Sequence, residues 1–169
     1  MLQNILNDLL RLSVIIGAPL LVKIFLRLGA YVNYSNSKYG LSSFLMSLVM
    51  QRRNVGVIKI HDKYSINPAV IAIFMGHTNT LKTLINNDGF NHFYQSDEGL
   101  TYVMYAAAFG REEILGMLIK SDCEIYKEGM FGDTAIKLVR RQRLRNLYTE
   151  NLISAYKLTE LQLLRSGVT

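Results

Sequence analysis

The sequence has only one cysteine, Cys123, among its 169 residues. A single cysteine cannot form a disulfide within the chain, so a disulfide framework is excluded and a reducing, cytoplasmic compartment is the simpler expectation. Long apolar runs are also scarce. The N-terminal run from Ser13 to Val22 has ten residues, far fewer than the roughly 20 that a transmembrane helix needs. Because Asp8 is also atypical of a signal peptide, we expect neither a membrane span nor an export signal.

The chain also lacks the short motifs of common catalytic sites. It contains no Gly-rich phosphate loop, no HExxH motif, no cysteine–histidine cluster and no serine in a nucleophile elbow. The histidines His61 and His92 have no cysteine or carboxylate at metal-ligand spacing in the sequence. Catalytic triads are assembled from distant residues, so an enzyme is not excluded. The expectation is nevertheless no catalytic residue, no cofactor and no metal.

Apolar residues and positive charge dominate the composition. Half of the residues are hydrophobic, which in a chain of 169 residues is enough for the core of one domain or one short solenoid. The formal net charge is +6 and the pI is about 9.5. This charge favours acidic partners without identifying one.

Residues Gly99 to Glu128 have the pattern of one helix–turn–helix unit. Thr101 is suited to cap a short helix that contains Ala106 to Ala108, and Gly110 can end that helix in the left-handed conformation. A second helix from Glu112 to Lys120 places its apolar residues in one stripe and two acids in its first turn. A unit of this kind cannot bury its apolar face alone, so we expect a similar unit stacked against it.

This pattern recurs downstream, where Gly132-Asp133-Thr134 corresponds to Gly99-Leu100-Thr101. Upstream, Asn67-Pro68 opens another unit, and His77 follows its turn glycine. A period of about 33 residues is typical of ankyrin repeats, and in these motifs the chain resembles the ankyrin-repeat family. The resemblance implies an all-α fold, a solenoid of stacked helix–turn–helix units. It also implies that His77 bonds the backbone of another unit and that Cys123 is a small buried residue.

On this resemblance the chain is a single ankyrin-repeat domain of five approximate units. Their bounds are 1–39, 40–64, 65–98, 99–131 and 132–169. In the first unit Gly17 occupies the turn between the helices. The second unit is truncated, because the interval from Gly40 to Ser65 is clearly shorter than one period. The last unit is a C-terminal cap in which Arg143 stands at the turn and a long closing helix ends before Gly167.

Positions that the ankyrin architecture leaves exposed on its concave face carry mostly large apolar side chains here. Aromatic and methionine side chains are enriched at interface centres, and an exposed apolar stripe indicates a binding surface. The resemblance therefore implies a non-enzymatic protein–protein interaction module, an adaptor or effector in the cytoplasm, or in the host cytoplasm for a secreted effector. The predicted partner-binding residues are Tyr39, Tyr64, Ile66, Phe74, Met75, Leu100, Phe109, Met130 and Phe131.

Two alternatives stay open. The apolar stripe is internal packing if the loops of these degenerate repeats fold onto their own groove. A basic cluster near the C-terminus is suited to an anionic partner, either nucleic acid or a membrane surface, although arginine near a helix C-terminus is also typical of a solvated face. Nucleic acid is the less expected of the two, because no nucleic-acid-binding fold pattern is present. The cluster consists of Lys137, Arg140, Arg141, Arg143 and Arg145.

Overall fold

A computed structural model describes the protein at residues 1–35, 67–97, 99–121, 123–129, 132–145 and 150–167, without the side chains of 142–145 and 150–157. Within these ranges the structure is all helical, as predicted, with eight helices and no strand. None of the described helices is both long and apolar enough to cross a membrane. The helices are α1 (Leu2–Ile16), α2 (Pro19–Arg27), α3 (Pro68–Met75), α4 (Thr78–Ile85), α5 (Tyr102–Ala108), α6 (Glu112–Lys120), α7 (Ala135–Arg145) and α8 (Glu150–Arg165).

Residues 1–91 and 92–169 form two compact units. The first contains the helical hairpins α1–α2 and α3–α4, and the second contains α5–α6 and α7–α8. The two helices of each hairpin pack against each other. The division of the chain into a single domain of five repeats stays a prediction.

Capping residues set the turns of the first unit. Asn67 caps α3, because its side chain accepts a hydrogen bond from the backbone amide of Val70 at 2.9 Å. Pro68 takes the first helical position, where the missing N–H of proline does no harm. Gly17 ends α1 with φ of 77°, and Gly76 ends α3 with φ of 82°. Glycine adopts this left-handed conformation without the penalty that other residues carry, so these two positions fix where each hairpin reverses.

The two hairpins of the first unit stack directly on each other. Helix α1 packs against α3, and α2 packs against α4. Asn33 joins the loops that follow α2 and α4, because its side-chain amide donates to the carbonyl of Gly89 at 2.6 Å and its side-chain oxygen accepts from the amide of Asn91 at 3.1 Å. The hairpins α1–α2 and α3–α4 are therefore in direct contact, and the assignment of residues 40–64 to a truncated repeat stays a prediction. Residues 40–64 themselves lie outside the described residues.

The second unit repeats this arrangement, with α7 packed on α5 and α8 on α6. Thr101 caps α5 as predicted, since its hydroxyl accepts from the backbone amide of Met104 at 3.3 Å. Gly110 has φ of 61° and forms the turn between α5 and α6. Ala106 and Ala107 are completely buried. Their small side chains suit a helix that packs against α6 and α7 together.

The C-terminal hairpin is longer than the hairpin before it. Helices α7 and α8 have 11 and 16 residues, against 7 and 9 in α5 and α6. Because α7 continues to Arg145, Arg143 lies inside a helix, and its predicted place at the turn is wrong. The repeat period fails here since α7 is about one helical turn longer than α5. The closing helix ends at Arg165, before Gly167, as predicted.

Candidate protein-binding surface

Two of the predicted partner-binding side chains lie in the interior. Phe74, near the end of α3, is 3% exposed, and Leu100, just before α5, is 7% exposed. All residues of α3 from Pro68 to Phe74 are buried, because this helix packs against both α1 and α4. The prediction that Phe74 and Leu100 line an exposed groove is therefore wrong. Both side chains contribute to the folded core instead.

Met75 and Phe109 are half-buried and remain accessible. Each stands directly before a turn glycine, Gly76 in the first unit and Gly110 in the second. The Phe109 ring stacks on Tyr105 with 6.2 Å between the ring centroids and 21° between the ring planes. This contact holds the ring at the end of α5 and leaves part of it open to solvent.

Ile16 occupies the equivalent position of the first hairpin, although it was not selected from the sequence. It directly precedes Gly17 and is 69% exposed. The C-terminal ends of α1 and α3 lie side by side, since Nε2 of His77 is 3.1 Å from the carbonyl oxygen of Ile15. The predicted structural role of His77 is thereby confirmed, and Ile16 and Met75 lie at the same end of two stacked helices. Inspection of the residue before each turn glycine would have identified Ile16 from the sequence.

Exposed aromatic side chains also recur in the loops of the second unit. Phe93 is 69% exposed and Tyr126 is 66% exposed. Their separation in the sequence equals that of Gly99 and Gly132, so they stand at equivalent positions of successive repeats. The Tyr126 hydroxyl donates to the carbonyl of Ser166 at 2.7 Å, which fixes this loop against the end of α8. Neither residue was selected from the sequence, although their separation equals the repeat period.

The remaining predicted partner-binding residues lie outside the described residues, so their roles stay predictions. They are Tyr39, Tyr64, Ile66, Met130 and Phe131. The side chains of Arg143 and Arg145, in the predicted anion-binding cluster, lie outside the described residues as well.

The three described cations of the basic cluster are each paired with a carboxylate. More than half of each cationic side chain is exposed, and exposed ion pairs contribute only about 0–1 kcal/mol each. These carboxylates nevertheless offset part of the positive charge that an anionic partner would meet there. The pairs are Lys137 with Glu128 at 3.4 Å, Arg140 with Glu160 at 2.8 Å, and Arg141 with Asp133.

His92 and Cys123 are neighbours in space despite their distance in the sequence. Cys123 is buried, as predicted. Nδ1 of His92 is 2.9 Å from the carbonyl oxygen of Ser121 and 4.0 Å from Sγ of Cys123. A histidine and a cysteine alone do not complete a metal site, and the described part of the chain holds no group of three or more metal-binding side chains. The contact therefore fixes the loop after α6.

A family model described as ankyrin repeats (3 copies) matches residues 14–128, which is more than half of the chain. The matched range begins inside α1 and ends after α6. Ankyrin repeats generally mediate protein–protein interactions and are typically non-catalytic. No curated protein matches the chain.

Proposed function

Because the chain belongs to the ankyrin-repeat family, we propose that it is a non-enzymatic adaptor that binds another protein. A shared fold supplies only the class of function, so the contact residues have to come from the chain's own surface. The proposed contact residues are Met75 in the first unit and Phe109, Phe93 and Tyr126 in the second unit. Ile16 occupies the position on α1 that is equivalent to Met75. The undescribed residues Tyr39, Tyr64, Ile66, Met130 and Phe131 remain candidates for the same role.

The observation that carries the proposal is the apolar residue directly before each of three described turn glycines, Gly17, Gly76 and Gly110. Ile16, Met75 and Phe109 are all partly or largely open to solvent. An apolar side chain in the core stabilises the fold because folding removes it from water. A side chain that stays accessible to water gains little stability in this way. Complete burial of a fully exposed side chain of this kind contributes roughly 1.5–3 kcal/mol, and a partner that covered the open part of Met75 or Phe109 would contribute a share of that. The recurrence is therefore better explained by binding than by folding.

An anionic partner is the less well supported alternative. Lys137, Arg140 and Arg141 already have carboxylate partners within the second unit. The two modes of binding respond differently to salt. Binding to phosphates weakens steeply as the salt concentration rises, whereas an apolar contact changes little.

Capture of proteins by the immobilised chain tests the proposal. Bacterial and eukaryotic lysates are passed over the wild type and over the double variant Met75→Ser/Phe109→Ser, and bound proteins are identified by mass spectrometry. We expect the wild type to capture the same proteins at low and at moderate salt. The double variant should fail to capture them under either condition. Its circular dichroism and Tm should change little, because both side chains are only half-buried.

A matched control separates a lost site from a general loss of apolar surface. Leu158 and Leu161 of α8 are 45% and 48% exposed, and the control Leu158→Ser/Leu161→Ser should keep the captured proteins. If Met75→Ser/Phe109→Ser also keeps them while Arg140→Glu/Arg141→Glu loses them, the basic cluster is the site and the proposal is wrong.

We propose the cytoplasm as the compartment of this adaptor. The chain has one cysteine, so its fold does not depend on an oxidising environment. Localisation of a fluorescently tagged chain in cells tests this, and an equal thermal unfolding midpoint with and without a reductant would agree with a fold that needs no disulfide.

A further inference from the structure

The outer side of the N-terminal hairpin is highly apolar. Eight leucine and isoleucine side chains between residues 2 and 28 are exposed, from 38% at Leu9 to 81% at Leu2. A single exposed leucine needs no explanation. Eight on one hairpin form a patch of the kind that marks an interaction surface.

On α1 the exposed residues form a single stripe. Leu2, Ile5, Leu9, Leu12 and Ile16 follow one another at spacings of three, four, three and four residues. All are exposed except Leu12, which is half-buried. This is the heptad spacing of a helix that packs lengthwise against another helix. None of these five residues belongs to the side of α1 that is buried in the first unit.

Helix α2 continues this apolar surface. Its buried residue is Val22, and Leu20 and Ile24 are exposed on the other side. Since α1 packs on α3 and α2 packs on α4, the sides of α1 and α2 that face away from those helices face the same way. Lys23 and Arg27 instead line a cleft shared with α4. The surface therefore has an apolar centre and a charged edge, as protein interfaces do.

We propose that a second copy of this chain covers the apolar face of α1 and α2, through a two-fold symmetric contact. A spacing of three and four residues is kept when the direction of the helix is reversed, so the stripe of α1 is complementary to itself in an antiparallel pair. Self-complementarity is what a two-fold interface requires. Leu9 and Leu12 of the two copies would form its central layers.

The size of the face agrees with a dimer. A fully buried leucine removes roughly 60–120 Å² of apolar surface from water, at about 25 cal/mol per Å². The eight side chains of this face are only partly exposed, so together they offer several hundred Å² of apolar surface. A stable interface takes roughly 800 Å² from each partner, about two thirds of it apolar in homodimers. A repeat face that meets water is normally polar, whereas this face is apolar.

The mass of the full chain in solution tests the proposal. Light scattering after size exclusion, from about 1 to about 100 µM protein, covers dimers with micromolar Kd. We expect the mass to rise with concentration to twice 19.2 kDa. Leu9→Glu would place a charge in the central layers, and we expect it to raise the dimer Kd about 30-fold or more, the effect of losing a binding hot spot. Leu20→Glu, at a site 76% exposed, should weaken the dimer without disturbing the fold and serves if Leu9→Glu fails to fold.

Leu161→Glu on α8, at a site 48% exposed, is the matched control and should leave the dimer intact. A monomer at every concentration would overturn the proposal, as would a dimer that resists both Leu9→Glu and Leu20→Glu. Dissociation by Leu161→Glu would place the interface on α8 and would also overturn the proposal. A monomer that floats with phosphatidylserine vesicles, and loses this on Leu20→Glu, would assign the face to a lipid surface and refute the dimer.

Discussion

The close approach of Gly17 and His77 gives a quantitative test of how the two hairpins of the first unit are joined. Gly17 has φ of 77°, so alanine at this position would carry a left-handed penalty of roughly 1–2 kcal/mol. A Cβ at Gly17 would also lie 2.8 Å from Cε1 and Nδ1 of His77. The ring would have to move and lose its hydrogen bond to the Ile15 carbonyl, which contributes about 0.5–1.5 kcal/mol. Gly17→Ala should therefore lower the free energy of unfolding by about 2–3 kcal/mol.

Gly29 is the matched control because its backbone conformation is similar and its surroundings are open. Its φ is 94°, and no atom lies within 4 Å of an added Cβ. Gly29→Ala should therefore cost only the left-handed penalty of roughly 1–2 kcal/mol. In a His77→Ala background, where the ring is gone, Gly17→Ala should cost the same as Gly29→Ala. The double-mutant cycle between Gly17 and His77 should show a coupling of about 1 kcal/mol.

Urea unfolding followed by far-UV circular dichroism provides these free energies, provided that the transition is two-state and the slope with urea is unchanged. The reasoning is refuted if Gly17→Ala and Gly29→Ala are equally destabilising in the wild type. It is also refuted if removal of the His77 ring leaves the effect of Gly17→Ala unchanged. Either result would mean that the ends of α1 and α3 are farther apart in solution.

Phe74→Ala should lower the free energy of unfolding by about 3–5 kcal/mol because the ring is buried, whereas Phe109→Ala should lower it much less; equal losses in urea titrations would contradict the difference in burial. Ala107→Leu should overpack α5 by about 1–3 kcal/mol, and an unchanged urea midpoint would show that α5 packs in another orientation. Asn67→Ala should remove the cap of α3 and cost about 1 kcal/mol, while Asn67→Asp should keep most of that stability. If thermal unfolding shows the same loss for both, the side-chain oxygen of Asn67 is not the cap.

The sequence predicts this fold best at positions where a residue has a local structural role, such as a helix cap or a turn. Thr101 and Asn67 cap helices in the structure because a side-chain oxygen at such a position can accept from the amide three residues on. Gly17 and Gly110 mark turns because their backbone is left-handed. These capping and turn tasks are local, so the period of the repeat is sufficient to assign them. The bond of His77 to the distant Ile15 carbonyl is instead implied by the resemblance to ankyrin repeats.

The predictions that are wrong concern packing between segments distant in the sequence. Phe74 stands at a position that the repeat pattern leaves exposed, but it is buried because α3 packs against both α1 and α4. No prediction concerned Arg11, whose environment also depends on packing between segments. It is fully buried on α1, and burial lowers the pKa of its guanidinium while the charge of Asp8 acts in the opposite direction. Spacing along one helix does not reveal such an environment.

The direct stacking of α1–α2 on α3–α4 also bears on how the first unit folds. The separation in sequence between the turn glycines Gly17 and Gly76 is larger than that between Gly76 and Gly110, by a factor of less than two. By the logarithmic dependence of loop-closure entropy on length, this longer connection costs only about 0.5 kcal/mol more. Its kinetic effect is larger, because contacts distant in the sequence form more slowly. The N-terminal hairpin should therefore dock after α3 and α4 have formed a hairpin. The free energy of opening measured by hydrogen exchange should be lower for the amides of α1 and α2 than for those of α3 and α4.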